Sequence, residues 1–244
     1  MEQLDILKKD PWLAPFADAI NGRHEDVIRK EADLTASSGT LNDFANAHRY
    51  FGLHRVHDGW IFREWAPNAT AITLVGDFND WQELAKYRLH NIGNGVWELH
   101  LWENDLHHGD LFKMIVDWEG GRGERLPAYA TRVVQDEQTK IFSAQVWAPE
   151  EPYKWKTGHF RPHTSPLLIY ECHIGMAQNR EGVGTYEEFR TEILPRIDAD
   201  GYNAIQIMAI QEHPYYGSFG YHVSIFYAPS SRFGTPDELK HLVD

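Results

Sequence analysis

The sequence has one cysteine, Cys172, in 244 residues, so an internal disulfide and any cysteine-rich zinc site are excluded. It has few basic residues. Lys plus Arg number 23 against 36 Asp plus Glu, a net charge of −13. That balance argues against a nucleic-acid or anionic-membrane partner, which needs a basic field. No apolar run is long enough to span a bilayer. The start, MEQLDILKKD, lacks the apolar stretch of a signal peptide. No metal-ligand cluster or phosphate-binding loop stands out, so no cofactor is expected. These absences point to a soluble, cytoplasmic, acidic protein. What is abundant is aromatic residues: nine Trp, eleven Tyr and twelve Phe, 13% in all. Such residues fill cores. They also offer flat faces to sugar rings.

Pattern divides the chain into segments. Residues 1–52 read as short helices. Thr40 can cap a helix in which Leu41, Phe44, Ala45 and His48 share a face. Over 53–150 the period becomes two. Trp60, Phe62 and Glu64 alternate with Ile61, Arg63 and Trp65. Ala71–Val75, Val96–Trp102, Leu111–Val116 and Lys140–Trp147 read as further strands. Short strands between polar turns predict an antiparallel sandwich. Residues 151–166, rich in proline and glycine, read as a linker.

Residues 167–244 follow a different grammar. Leu167–Glu171 and Ala204–Ile210 read as strands covered on both faces, with a helix between them. Thr185–Glu188 forms a capping box, and Pro195 is expected to kink that helix. Strand, helix, strand predicts a parallel pair. Thr235-Pro236-Asp237-Glu238 carries helix-start signals, and the chain stops soon after, at Asp244. The expectation is a fragment cut within a helix.

Trp65-Ala66-Pro67-Asn68-Ala69 and Gly76-Asp77-Phe78-Asn79-Asp80-Trp81 resemble the glucan-binding β-sandwich module that precedes the barrel in branching and debranching enzymes. Glu212-His213-Pro214-Tyr215-Tyr216-Gly217-Ser218-Phe219-Gly220-Tyr221-His222-Val223 resembles α-1,4-glucan branching enzymes of the eukaryotic type. Ala228–Pro236, Tyr170–Gly175, Gly201–Gln206 and Leu126–Ala130 extend that resemblance in family order. It implies N-terminal helices, an immunoglobulin-like carbohydrate-binding sandwich, then the first β-α-β portion of an incomplete (β/α)8 barrel of the α-amylase family.

The implied reaction cuts an α-1,4 glucan and rejoins it as an α-1,6 branch, by a retaining mechanism with two carboxyl groups about 5–5.5 Å apart. The implied partners are glycogen, starch or maltooligosaccharides. The resemblance makes Tyr221 a candidate sugar-stacking residue, beside Gly220 and His213. Trp81 and Lys113 become candidate glucan contacts on the sandwich. No catalytic carboxylate is expected within the 244 residues, and the chain alone is expected to be inactive. Exposed barrel strands are expected to let it self-associate. Two other readings remain at this point. One is a non-catalytic glucan-binding or regulatory protein. The other is a debranching or trehalose-forming relative.

Overall fold

The computed structural model describes residues 4–35, 39–161 and 166–244. Residues 162–165 of the expected linker, His163 among them, lie outside the described residues. The chain divides into two compact units, Met1–Tyr50 and Phe51–Asp244.

The first unit is helical. It contains α1 (Asp5–Lys9), a 3-10 segment Pro11–Phe16, α2 (Ala17–Leu34) and α3 (Leu41–Phe44). Thr40 caps α3 as the sequence predicts: its hydroxyl accepts from Asp43 N at 3.2 Å, and Asp43 accepts from Thr40 N at 3.0 Å.

The second unit opens with nine strands: β1 (Gly52–Val56), β2 (Gly59–Trp65), β3 (Ala69–Gly76), β4 (His90–Gly93), β5 (Val96–Trp102), β6 (Leu111–Trp118), β7 (Gly121–Arg125), β8 (Val133–Gln135) and β9 (Phe142–Gln145). They form two antiparallel sheets. One has the order β1-β2-β5-β4. The other has the order β3-β6-β9-β8, with β7 also paired to β6. The period-two pattern explains the layering. Trp60 and Phe62 of β2, Trp97, Leu99 and Leu101 of β5, Ile72 and Leu74 of β3, and Phe112 and Met114 of β6 all point into one buried core. Burying each such side chain contributes about 1.5–3 kcal/mol. Glu64 also points inward. Its carboxylate accepts from Trp65 N at 3.0 Å and Ala128 N at 2.9 Å, while burial pushes its pKa up.

Beyond 166 come β10 (Ile169–Cys172), α4 (Tyr186–Glu188), a π-helical turn Phe189–Ile193, α5 (Leu194–Ala199), β11 (Ala204–Ile207), β12 (Gln211–Glu212), β13 (Ile225–Pro229) and α6 (Pro236–Val243). Strands β10 and β11 pair in parallel, as the strand-helix-strand reading requires. A second core, with Ile174, Tyr186, Phe189, Ile197, Phe233 and Leu242, sits beneath them. Pro195 acts one turn earlier than a simple kink. Leu194 N reaches back five residues to Phe189 O, and the proline then starts α5, where its missing N–H is harmless.

One expectation differs from the structure. The strand predicted over Ala204–Ile210 stops at Ile207, because Ala209 adopts φ +50°, and a separate strand of two residues follows. Leu167, Leu168 and Ile169, whose pattern suits cover on both faces, are more than half exposed, in line with the expected exposed barrel strands. The two cores also approach more closely than a linker reading suggests: Ile225 and Ala228 of β13 belong to the sandwich core.

Candidate glucan-binding surface and the 213–222 loop

Strand β3 ends at Gly76, where the backbone runs against β6. A Cβ there would lie 2.2 Å from Leu111 O, so only glycine fits. The chain then turns through Asp77–Asn79. Asn79 is buried and braces the turn: its Oδ1 accepts from Gly76 N at 2.9 Å, and its Nδ2 donates to Leu74 O at 3.1 Å. Asp80 and Trp81 follow with φ of +52° and +59°. Left-handed backbone is costly for a bulky residue, and such strain clusters at functional sites.

The turn delivers Trp81 to the surface with its ring fixed and 41% exposed. Its indole Nε1 donates to Asp77 Oδ1 at 3.0 Å, while Asp77 Oδ2 accepts from Leu111 N at 2.8 Å. Lys113 lies on the outer face of β6, opposite Val75 of β3, with its side chain only 11% exposed. Its Nζ lies 6.0 Å from the centre of the Trp81 ring and donates to Glu124 Oε2 at 2.6 Å. The two sandwich residues singled out in the sequence are therefore neighbours. A flat aromatic beside an ammonium with unused donors can stack on a pyranose and bond its hydroxyls.

Asp77 and Asn79 lie inside the quoted motif, where polar turn side chains that hold an aromatic are the signal. The sequence reading missed Glu124. Nothing in the sequence points to Glu124. Its place depends on the β6–β7 register, which pairs it with Ile115 and leaves it diagonal to Lys113.

The second cluster lies between β12 and β13. Gly220 has φ +82°, and a Cβ there would sit 2.5 Å from Ala209 O. That close approach turns the chain so that the Tyr221 ring is 67% exposed, with its hydroxyl donating to Met208 Sδ at 3.3 Å. His213 is fully buried beneath the loop. Its Nδ1 lies 3.0 Å from Gln211 O, and its Nε2 finds no hydrogen-bond partner among the described residues. His173, not singled out in the sequence, holds the far side of the loop through Nε2 and Phe219 O at 3.0 Å.

Glu212 is buried too. It accepts from His213 N at 3.0 Å, Ser230 Oγ at 3.2 Å and Ser231 N at 2.7 Å, which marks it as a structural anchor. Glu171 of β10 accepts from Gln206 Nε2 at 2.9 Å.

Comparison with known proteins agrees with this architecture. Residues 50–130 match the family Carbohydrate-binding module 48 (Isoamylase N-terminal domain). The whole chain is similar to 1,4-alpha-glucan-branching enzymes. That of Rhizophagus irregularis is 43% identical over 98% of this chain and 36% of its own length. The Equus caballus enzyme is 37% identical over 98% of this chain and 35% of its own. The 1,4-alpha-glucan-branching enzyme 2-2, chloroplastic/amyloplastic of Arabidopsis thaliana is 40% identical over 98% of this chain and 30% of its own.

Among solved structures, the pullulanase from Bacillus acidopullulyticus superposes with a TM-score of 0.64 at 17% identity, over 79% of this chain and 27% of that one. A pullulanase from Paenibacillus barengoltzii, complexed with maltotetraose, gives 0.63 at 19% identity, over 79% and 35%. These two likenesses establish the fold, a sandwich followed by the start of a barrel. By sequence the chain is similar over nearly all its length to 1,4-α-glucan-branching enzymes, and it spans about a third of the length of the curated relatives it matches.

Proposed function

We propose that this chain serves α-1,4-glucan branching as the part that binds and orients glucan. The observation that carries this reading is the Trp81–Lys113 pair: an exposed indole fixed by Asp77, with an ammonium 6.0 Å from its ring, on a module-48 sandwich. Glucose units of glycogen or a maltooligosaccharide stack on Trp81, and Lys113 donates to their hydroxyls. Tyr221 offers a second sugar-stacking surface on the loop shaped by Gly220 and supported by His213. Retaining transfer needs two carboxyl groups facing one glycosidic bond. Glu212 is committed to Ser230 and Ser231, and Glu171 to Gln206. The 244 residues alone therefore bind glucan without transferring it.

Two further points belong to this reading. The exposed run Leu167–Ile169 and a cleft of about 760 Å³ walled by Leu194, Ile205, Ile207 and Leu242 give the chain an apolar surface for self-association. The proposed compartment is the cytoplasm, where a single buried thiol, Cys172, pushed up to about 11 by burial, stays reduced.

Affinity electrophoresis in a gel containing glycogen tests the glucan reading. The chain should be retarded, and Trp81→Ala and Lys113→Met should run as in a plain gel. An unretarded wild-type chain would overturn it.

A further inference from the structure

One side chain joins the sandwich to the loop that carries Tyr221. Arg232 follows β13, and its Nη2 donates to Gln135 Oε1 at 3.1 Å and to Pro214 O at 3.1 Å. Gln135 is the last residue of β8. Its own amide nitrogen donates to Lys140 O at 2.8 Å, which turns its oxygen toward the guanidinium. Pro214 is near the start of the segment leading to Gly220 and Tyr221.

The base of the arginine is fixed as well. Arg232 N donates to Ser230 Oγ at 3.3 Å, and Ser230 and Ser231 are both held by the buried Glu212 carboxylate. A second arginine crosses in the opposite direction. Arg132 of the sandwich, stacked 5.5 Å from the Trp147 ring, donates from Nη1 to Gly234 O at 2.5 Å. Tyr129 of the sandwich stacks on Tyr227 of β13 with ring centres 4.7 Å apart. The seam is thus pinned on both sides, and Arg232 is the pin that reaches the loop itself.

We propose that Arg232 is a positioning residue through which the sandwich sets the conformation of the 213–222 loop, and with it the place of Tyr221. A planar guanidinium bonds two carbonyl oxygens in fixed directions, which an ammonium on a flexible stem does not reproduce. Other ties of the loop, among them His173 to Phe219 O and Tyr216 Oη to Gly175 O at 3.0 Å, hold its middle and far side. Its entry at Pro214 is held by Arg232. The inference draws its functional meaning from the reading of this loop as glucan-facing. The coupling is measured without sugar, so its failure and the failure of glucan binding are separate results.

Hydrogen exchange of the 244-residue chain, read peptide by peptide, is the test. Arg232→Ala should speed exchange across residues 215–221 roughly tenfold while the amides of β2 and β5 keep their protection. Gln135→Ala, a change on the sandwich, should speed the same loop amides. Added to Arg232→Ala it should do nothing further, since both remove one link. Arg232→Lys should restore part of the protection. A loop whose exchange ignores Arg232→Ala or Gln135→Ala would overturn the proposal. So would equal acceleration over the whole unit.

Discussion

Trp81 keeps a left-handed backbone that glycine or asparagine would hold at lower cost. The turn tolerates it because Asn79 and Asp77 supply four hydrogen bonds, which hold the end of β3, Leu111 of β6 and the indole itself. Asp77→Ala should therefore free the ring without removing it. The expected result is a several-fold loss of glucan affinity together with a stability loss of about 0.5–1.5 kcal/mol from the lost Leu111 N bond, read by titration and urea melts side by side. Glu212 makes a different prediction. Glu212→Ala leaves His213 N and Ser230 Oγ without their acceptor in a buried place, and Ser231 N in a part-buried one. It should cost about 1–3 kcal/mol of stability for each group left unpaired, measured by urea unfolding.

Asp244 carries a pH dependence. Its carboxylate accepts from Lys156 N at 2.9 Å, Thr157 N at 2.7 Å and Tyr153 Oη at 2.8 Å. Those backbone bonds hold its pKa near 2, below the ordinary 3.8. A lowered carboxylate pKa stabilises the folded form above the ordinary value and loses that contribution as pH falls through the folded one. The clasp between 153–157 and the end of α6 should be intact at pH 5 and open between 3.8 and about 2. Exchange rates of the Lys156 and Thr157 amides, corrected for intrinsic pH dependence, should rise in that window and not above it.

Elements were legible where local chemistry decides them. Thr40–Asp43, Thr185–Glu188 and Thr235–Glu238 all form capping boxes in the structure, and each is a short-range pattern of residue types. The alternating segments at 60–65 and 96–102 are strands because one face of each meets the core. Thr235→Ala should destabilise α6 by about 1 kcal/mol, with the effect reaching Leu242 and Phe233 in the second core.

Register and long-range pairing were less legible. The short edge strands β4, β7 and β8 carry weak patterns of their own and are held by their neighbours. Glu124 reaches Lys113 only through the β6–β7 register. The end of β11 is followed by the positive φ of Ala209, which lies against Gly220 eleven residues later. Tyr221 and Trp81 were visible as residues in motifs. Asp77, which holds the indole, lies four residues away in the same motif, whereas His173 and Arg232, which hold the loop, emerge from contacts between distant segments.

At the scale of the molecule, residues 51–244 form one compact unit, with β13 contributing to the sandwich core and two arginines crossing the seam. The sandwich and the strands after 166 should therefore unfold in one transition, seen as coincident fluorescence and circular-dichroism melts. The apolar run Leu167–Ile169 and the neighbouring cleft predict concentration-dependent association. Sedimentation should show it, and a monomer at every concentration would contradict it. Incubation with amylose should create no α-1,6 linkages detectable by proton NMR, because transfer needs a facing pair of carboxyl groups that Glu212 and Glu171 do not form.

The central claim is that this acidic, aromatic-rich chain holds α-glucan on the outer face of its sandwich. Calorimetric titration with maltoheptaose tests it most directly, comparing the wild-type chain with Trp81→Ala. Saturable binding by the wild type, weakened at least tenfold by the substitution (about 1.4 kcal/mol), is the predicted result. No heat of binding to the wild type, or an equal affinity in both proteins, would contradict the account.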